Sequence, residues 1–260
     1  MAYIDHKQLA QLEIEDTSAP TITWHSAARS HAGRVREANE DAFFNSAEQG
    51  LWAVADGMGG RARGDYASGV VAEAFVHFVS QPTLTKNIVN LEARLADAHH
   101  NCRHTFKGEK IGSTVAAMFA FGSYCFFLWA GDSRVYRLRE NVLEQMTVDH
   151  TLAQQKVARG ELRPGQVAYH PSAHVLTRAV GVHQTLHLDL HSERVEAGDR
   201  FLLCSDGLTK ELSDADIREH LQNGPVEQVA DALIERALDK GGRDNVTAIV
   251  VEVEALEGRT

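Results

Sequence analysis

Three apolar runs in this chain break off at an aspartate beside a glycine. Residues 51–55, Leu-Trp-Ala-Val-Ala, carry no polar interruption and stop at Asp56-Gly57, with further glycines at 59 and 60. Residues 201–204 run into Ser205-Asp206-Gly207, and residues 124–130 into Gly131-Asp132-Ser133. An unbroken apolar run of this length reads as a strand buried on both faces. An Asp-Gly step ends such a strand in a tight turn, because glycine accepts positive φ without steric cost. Each carboxylate is then held by a stiff strand at the lip of a core, a placement that suits metal or phosphate chemistry.

The elements around these runs come in blocks. A first strand is expected over 21–28, and a polar connector over 33–41 leads into Ala42-Phe43-Phe44. Apolar residues at 67, 70, 71, 74, 75 and 78 share one face of a helix over 66–80. Those at 88, 91, 95, 98 and 102 do the same for a helix over 88–106, with Pro82 between the two. Strands follow over 113–121, 124–130, 135–138 and 142–146, and read as a meander of adjacent antiparallel strands. Residues 149–174 hold a short helix at 152–159, then Gly160, Pro164, Gly165 and Pro171 with few large apolar side chains. They read as a surface excursion or lid. Strands resume at 186–190 and 200–204, helices at 214–221 and 227–238, and a last strand at 246–253. Asp214 and Asp216 are read as favourable charges at a helix N-terminus capped by Ser213 or Asp214. Grouped strands and grouped helices, without βαβ alternation, favour an α+β fold of stacked, mainly antiparallel sheets with helices outside. Residues 1–20 are polar and end at Pro20, so a disordered or loosely docked arm is expected there. No repeat or linker divides residues 21–255, which read as one domain.

Composition narrows the partners. With 26 basic and 36 acidic residues the net charge is −10, which argues against nucleic acid held by a general basic surface. The cysteines, at 102, 125 and 204, are odd in number and lack a CxxC pair, as in a reduced, cytoplasmic protein. No secretory signal is visible at the N-terminus. The longest apolar run is far short of the roughly 20 residues of a membrane helix, so no membrane partner is expected.

Asp244 stands just before the last strand and Asp41 just before Ala42, so five aspartates occupy strand boundaries. Brought to one end of a β core, they would repel one another unless cations bind there. Their oxygens are hard ligands, and no His or Cys set has zinc-like spacing, which selects Mg²⁺ or Mn²⁺. Two such ions about 3.5–4 Å apart would bring a water towards neutral pKa for attack on phosphorus. The fourteen histidines scatter and read as surface residues. Each Asp-Gly or Gly-Asp taken singly is an ordinary turn. Competing motifs fail. Gly57-x-Gly59-x-x-Ala62 fits a relaxed dinucleotide pattern, but Asp56 would face the pyrophosphate and no βαβ unit follows. The spacing from Gly59 to Gly64 is that of a P-loop, but Asp65 stands where Lys is required. No cysteine has an arginine six residues on, so a Cys-dependent phosphatase loop is missing.

In order along the chain stand Val35-Arg-Glu-Ala-Asn-Glu-Asp41, Val54-Ala-Asp56-Gly-Met-Gly-Gly60, Gly112-Ser-Thr114 and Ala130-Gly-Asp132-Ser-Arg134. They continue with Thr147-Val-Asp149-His150, Val175-Leu-Thr-Arg178-Ala-Val-Gly181, Leu203-Cys-Ser-Asp206-Gly-Leu-Thr209 and Gly242-Arg-Asp244-Asn245. On these segments the chain resembles the bacterial metal-dependent Ser/Thr protein phosphatases of type 2C, over about residues 22–253. The resemblance implies a four-layer αββα sandwich that hydrolyses phosphoserine and phosphothreonine on proteins by a metal-activated water. It implies that Asp56 bridges two Mn²⁺ or Mg²⁺ ions, helped by the Gly57 carbonyl, with Asp206 and Asp244 on the second ion. Asp41, with Glu40, would act near the ions, Asp132 matches the position of a third, weaker ion, and Arg36 would clamp the substrate phosphate. Residues 150–174 match the variable flap. Animal relatives carry a general-acid His two residues after the bridging Asp. This chain has Met58 there, which makes a water at the ions the expected proton donor. The implied partners are phosphoproteins and a cognate Ser/Thr kinase, with a phosphopeptide-binding-domain protein in a regulatory or secretion pathway. The protein is expected to be a monomer. A pseudophosphatase would have lost part of the metal set, and a phosphohydrolase for small esters would differ in the flap.

Overall fold

The computed structural model describes residues 22–59, 63–106 and 111–255, together with Leu9, Gln11 and Leu12. Its strands are β1 (Ile22–His31), β2 (Asp41–Ser46), β3 (Leu51–Met58), β4 (Gly112–Ser113), β5 (Val115–Phe121) and β6 (Tyr124–Ala130). They continue as β7 (Arg134–Arg139), β8 (Val142–Gln145), β9 (Asp189–Arg194), β10 (Arg200–Cys204) and β11 (Val246–Ala255). The described helices are α1 (Gly64–Val76), α2 (Leu84–Thr105), α3 (Leu152–Ala158), α4 (Asp206–Thr209), α5 (Asp214–Leu221) and α6 (Val226–Asp239). One sheet runs β1-β11-β10-β7-β8, the other β2-β3-β5-β6-β9 with β4 paired to β3. Every pairing is antiparallel.

The period of two along the strands sorts the core into layers. In β3, Leu51, Ala53 and Ala55 join Phe75, Leu91 and Leu95 of α1 and α2. Trp52 and Val54 turn the other way and join Phe127, Phe201, Ile249 and Val251 between the sheets. In the second sheet, Leu202, Cys204, Ala248 and Val250 pack with Leu233 and Ala237 of α6. Helices, sheet, sheet and helices therefore make a four-layer α+β sandwich. The continuous apolar runs are explained by it, since each inner strand is covered on both faces. Burying a large side chain such as Trp52 or Phe201 contributes about 1.5–3 kcal/mol. The Trp24 and Trp52 rings meet at 5.2 Å within the middle layer.

Three expectations need correction. The meander breaks between β6 and β7. These strands lie in different sheets, and Gly131-Asp132-Ser133 carries the chain across the sandwich. The strand expected at 186–190 lies at Asp189–Arg194, where it pairs with β6, while Leu186 and Leu188 pack on the helix-covered cluster. Neither Asp-Gly step is a strand-ending turn: β3 runs on through Asp56-Gly57 to Met58 because β4 pairs with it there, and Asp206 is the first residue of the short helix α4. The reading of Ser213 holds: it caps α5, accepting the Asp216 amide while Asp216 accepts the Ser213 amide. Most of the arm expected over residues 1–20 lies outside the described residues, but Leu9 is buried in the cluster under α1 and α2. The three cysteines are buried and free. No described helix is long and apolar enough to cross a membrane.

Candidate active site

Antiparallel pairing brings four strand boundaries to one rim. β2 begins two residues short of the end of β3, so Asp41 pairs with Asp56 while Gly57 and Met58 pair with β4. β10 ends beside the start of β11, the Ser205 amide donating to the Thr247 carbonyl, and Asp206 and Asp244 flank that junction. The two sheets are joined there through Asp41. Its Oδ2 accepts from Ser205 Oγ and Thr247 Oγ1, both at 2.7 Å. Asp132 is buried at the crossing from β6 to β7. Its neighbour Ser133 shares a 2.7 Å hydrogen bond with Thr114 Oγ1, which also accepts the Asp56 amide at 2.9 Å.

The cleft at this rim has a volume of about 500 Å³. Asp56, Gly57, Asp132, Asp206, Asp244 and Arg36 all line it, with Glu40 and Met58. Asp41 does not. It is buried beside Asp56, bonded through Oδ2, and its Oδ1 has no hydrogen-bond partner. Arg36 is half-exposed and lays its fork on Asp244, with Nε 2.8 Å from Oδ1 and Nη2 3.1 Å from Oδ2. Gly57 is forced by close approach: a Cβ there would lie 1.9 Å from the Gly64 carbonyl oxygen and 2.6 Å from that of Glu40.

Several contributors are not marked by the strand-end pattern. Lys210 Nζ stands 2.6 Å from Asp206 Oδ2 and 2.9 Å from Asp244 Oδ2. The i,i+4 spacing from Asp206 was its one sequence signal. His99 and His150 are buried and depart from the surface reading given to the histidines, whereas His174 is exposed and lines the cleft. One ligand atom each from Asp132, His174 and Asp206 lie within 4.8 Å of one another. Asn245 holds the connector 32–40 in place, accepting the Glu40 amide and donating to the carbonyls of Ala32 and Ala38.

The electrostatics are those of a site built for cations. Burial pushes the Asp56 carboxyl well above the usual carboxylate range, and the charges of Asp41, Asp206 and Asp132 push it further. Burial lifts Asp41 to about 7, against the hydrogen bonds from Thr247 and Ser205. Asp132 is lifted to about 7 by burial and then by Asp206. Asp244 goes the other way: burial opposes its ionisation, but Lys210 and Arg36 outweigh burial and hold it below the usual range. The orphaned buried oxygens of Asp41 and Asp206 and the all-oxygen donor set fit hard divalent cations.

These shifts fix a pH dependence. A carboxyl raised from 3.8 to about 7 adds stability that is fully present below 3.8 and lost as pH rises through 7. In chelator, the protein is expected to melt at least about 5 °C higher near pH 5.5 than near pH 8. Asp132→Asn should flatten that slope, and the gain in Tm on adding Mn²⁺ should grow with pH, since the ion needs ionised carboxylates. Differential scanning calorimetry decides it, and a chelated Tm that rises with pH contradicts the assignment.

Two stacked antiparallel sheets flanked by helices thus carry an acidic cleft at one rim. The sequence profile of the protein phosphatase 2C family matches residues 29–249, and the chain belongs to that family. The serine/threonine protein phosphatase PstP of Mycobacterium tuberculosis is 37% identical over 237 residues, which cover 90% of this chain and 46% of that protein. The chain thus spans about half the length of that curated relative. The serine/threonine phosphatase stp of Listeria monocytogenes is 32% identical, with 88% and 95% of the two chains covered. Among solved structures, PppA, a key regulatory component of T6SS in Pseudomonas aeruginosa, superposes with a TM-score of 0.83 at 39% identity. It covers 89% of this chain and 98% of its own. The catalytic domain of PstP in complex with two manganese ions gives 0.79 at 35% identity, covering 90% and 99%.

Proposed function

We propose that the chain is a protein serine/threonine phosphatase that uses Mn²⁺ or Mg²⁺. The observation that carries this is the convergence of Asp56, Asp132, Asp206 and Asp244 on one cleft, with one buried oxygen of Asp206, and one of Asp41 behind it, that no protein group satisfies. Asp56, Asp206, Asp244 and the Gly57 carbonyl are the groups to hold two ions, with Asp132 and His174 at a third position. When bound, such ions lower the pKa of a water towards neutrality and supply the nucleophile for attack on phosphorus. Asp41 steadies Asp56 from behind, clipped by Ser205 and Thr247. Arg36 carries the planar fork suited to two phosphate oxygens, and it must loosen its hold on Asp244 to use it. Met58 lines the cleft but cannot transfer a proton, and a water at the ions is the donor this reading takes for the leaving serine or threonine oxygen.

One catalytic unit over residues 21–255, with 150–174 as a flap, is the organisation this reading takes. The flap holds α3 and a 3₁₀ turn, Pro164–Tyr169, whose Tyr169 is almost fully exposed. The substrates are phosphoproteins, and the activity opposes a Ser/Thr kinase in the cytoplasm. The likeness to PppA supports a place in a regulatory pathway, with a phosphopeptide-binding-domain protein as one target. A phosphothreonine peptide and a small aryl phosphate, each assayed after chelation and again with Mn²⁺ restored, test the proposal. Chelation should abolish both activities, Mn²⁺ should restore them, and kcat/KM should favour the peptide by at least about tenfold. Full activity in chelator would sink the metal mechanism. Preference for the small ester would sink the protein substrate.

A further inference from the structure

Lys210 stands outside the metal set that the strand-end aspartates form, yet it touches two of its members. α4 begins at Asp206, so the side chain four residues on returns over the same face of the helical turn. The Lys210 ammonium bridges Asp206 Oδ2 and Asp244 Oδ2, two carboxylates that arrive from different elements. About three-quarters of the Lys210 side chain is buried, its relative exposure being 26%, so water screens its charge poorly. Arg36 differs in both respects: it is half-exposed, and its fork lies on Asp244 alone.

The oxygens are divided accordingly. Asp206 gives Oδ2 to Lys210 and keeps Oδ1 buried and unpartnered. Asp244 Oδ1 takes Arg36 Nε and the Asn245 amide, while Oδ2 takes Lys210 and Arg36 Nη2. We propose that Lys210 is a built-in counter-cation of the cluster: it draws Asp206 and Asp244 together when ions are absent, and its like charge weakens the ion those two acids share. The inference rests on the metal-dependent reading above. A divalent ion on the same pair of carboxylates would be a like charge competing with the ammonium for them, and even two unit charges about 4 Å apart in bulk water repel by about 1 kcal/mol. The double charge doubles that repulsion, which amounts to about tenfold or more in affinity. The fixed charge therefore trades ion affinity for a stable metal-free cleft, and it makes occupancy of the site answer to the free metal concentration.

Lys210→Met removes the charge at nearly constant length. Mn²⁺ titrated calorimetrically into metal-stripped protein should bind the variant at least about tenfold more tightly at one site than wild type. In chelator the variant should melt several degrees lower, because Asp206 and Asp244 then face each other with no cation bridging them, Arg36 remaining on Asp244. Lys210→Arg keeps the charge and should stay within about threefold of wild type in Mn²⁺ affinity. Recovery of a folded Lys210→Met only in the presence of Mn²⁺ would support the inference. Should that variant fold in neither condition, Lys210→Gln, neutral and able to keep one hydrogen bond, carries the same prediction. A wild type that binds Mn²⁺ while the neutral variant binds it no more tightly overturns this inference alone, as does an equal rise in Lys210→Arg. A wild type that binds no Mn²⁺ overturns both it and the proposed function.

Discussion

Asp56→Asn should lower kcat on a phosphothreonine peptide by at least about a thousandfold, or roughly 4 kcal/mol in the barrier, and should raise the Tm of the metal-free protein. The two effects have one cause. Asp56 is half-buried in the cleft wall, and its carboxyl is pushed well above the usual range by desolvation there and by the charges of Asp41, Asp206 and Asp132. At neutral pH without ions the ionised form is unfavourable, and an amide of the same shape relieves it. On the proposed reading the amide would also remove a negative charge from the groups that would hold the ions, and a neutral oxygen is a far weaker ligand for them. The Asp56 amide bond to Thr114 Oγ1 is a backbone contact and survives the change, so the strand end should stay in place. Steady-state kinetics with saturating Mn²⁺ and a thermal melt in chelator measure the two sides. A variant within tenfold of wild type, or one that melts well below it in chelator, would remove Asp56 from the centre of the site.

How much of this was legible in the sequence follows from how local each signal is. The apolar runs of β3 and β10 could be read because each is a contiguous pattern, but the Asp-Gly step does not end them in a turn: β3 continues through Asp56-Gly57 to Met58, where β4 pairs with it, and Asp206-Gly207 opens a helix. Stacked sheets with helices outside followed from grouped elements plus runs apolar on both faces, and the four-layer αββα arrangement from the family resemblance. The β6–β7 connection was misread because Gly131-Asp132-Ser133 has the composition of a hairpin turn. Nothing in three residues tells whether the next strand pairs with the last or crosses to the facing sheet. The strand at 189–194 was displaced because Leu186, Leu188 and Leu190 alternate well, while the register is set by pairing of Tyr124–Trp129 with a more polar segment. The five aspartates could be named one by one, but the sequence could not tell that Asp41 stands behind the cleft. That depends on Ser205 and Thr247, more than 160 residues away, closing on its Oδ2. Lys210 and His174 carry no periodic signal, and their roles come from where α4 and residues 150–174 lie in space.

Gly207→Ala is expected to cost about 3 kcal/mol of stability, roughly 6–12 °C in Tm, and at least about a hundredfold in activity, although Gly207 holds no ion. A Cβ at Gly207 would stand 1.9 Å from the Asn245 carbonyl oxygen and 2.9 Å from its carbon. Both are backbone atoms at the entrance to β11, so no rotamer change clears the space. Either α4 or the 244–245 segment has to move by more than an ångström. Asp206 precedes the glycine and Asp244 precedes the asparagine, so the movement separates the two acids that Lys210 bridges. Asn245 also holds Glu40 and the connector that carries Arg36, and the displacement reaches the opposite wall of the cleft through it. The loss should appear in Mn²⁺ affinity as well as in kcat, since ion ligands are what the extra methyl drives apart. Gly69 is the control: a Cβ there meets nothing within 4 Å, and Gly69→Ala in the middle of α1 should be neutral or slightly stabilising. Thermal melts and Mn²⁺ titrations of the two variants side by side settle the point. A Gly207→Ala protein that binds Mn²⁺ and melts like Gly69→Ala would mean that the close approach of α4 to β11 is not what holds Asp206 and Asp244 in register.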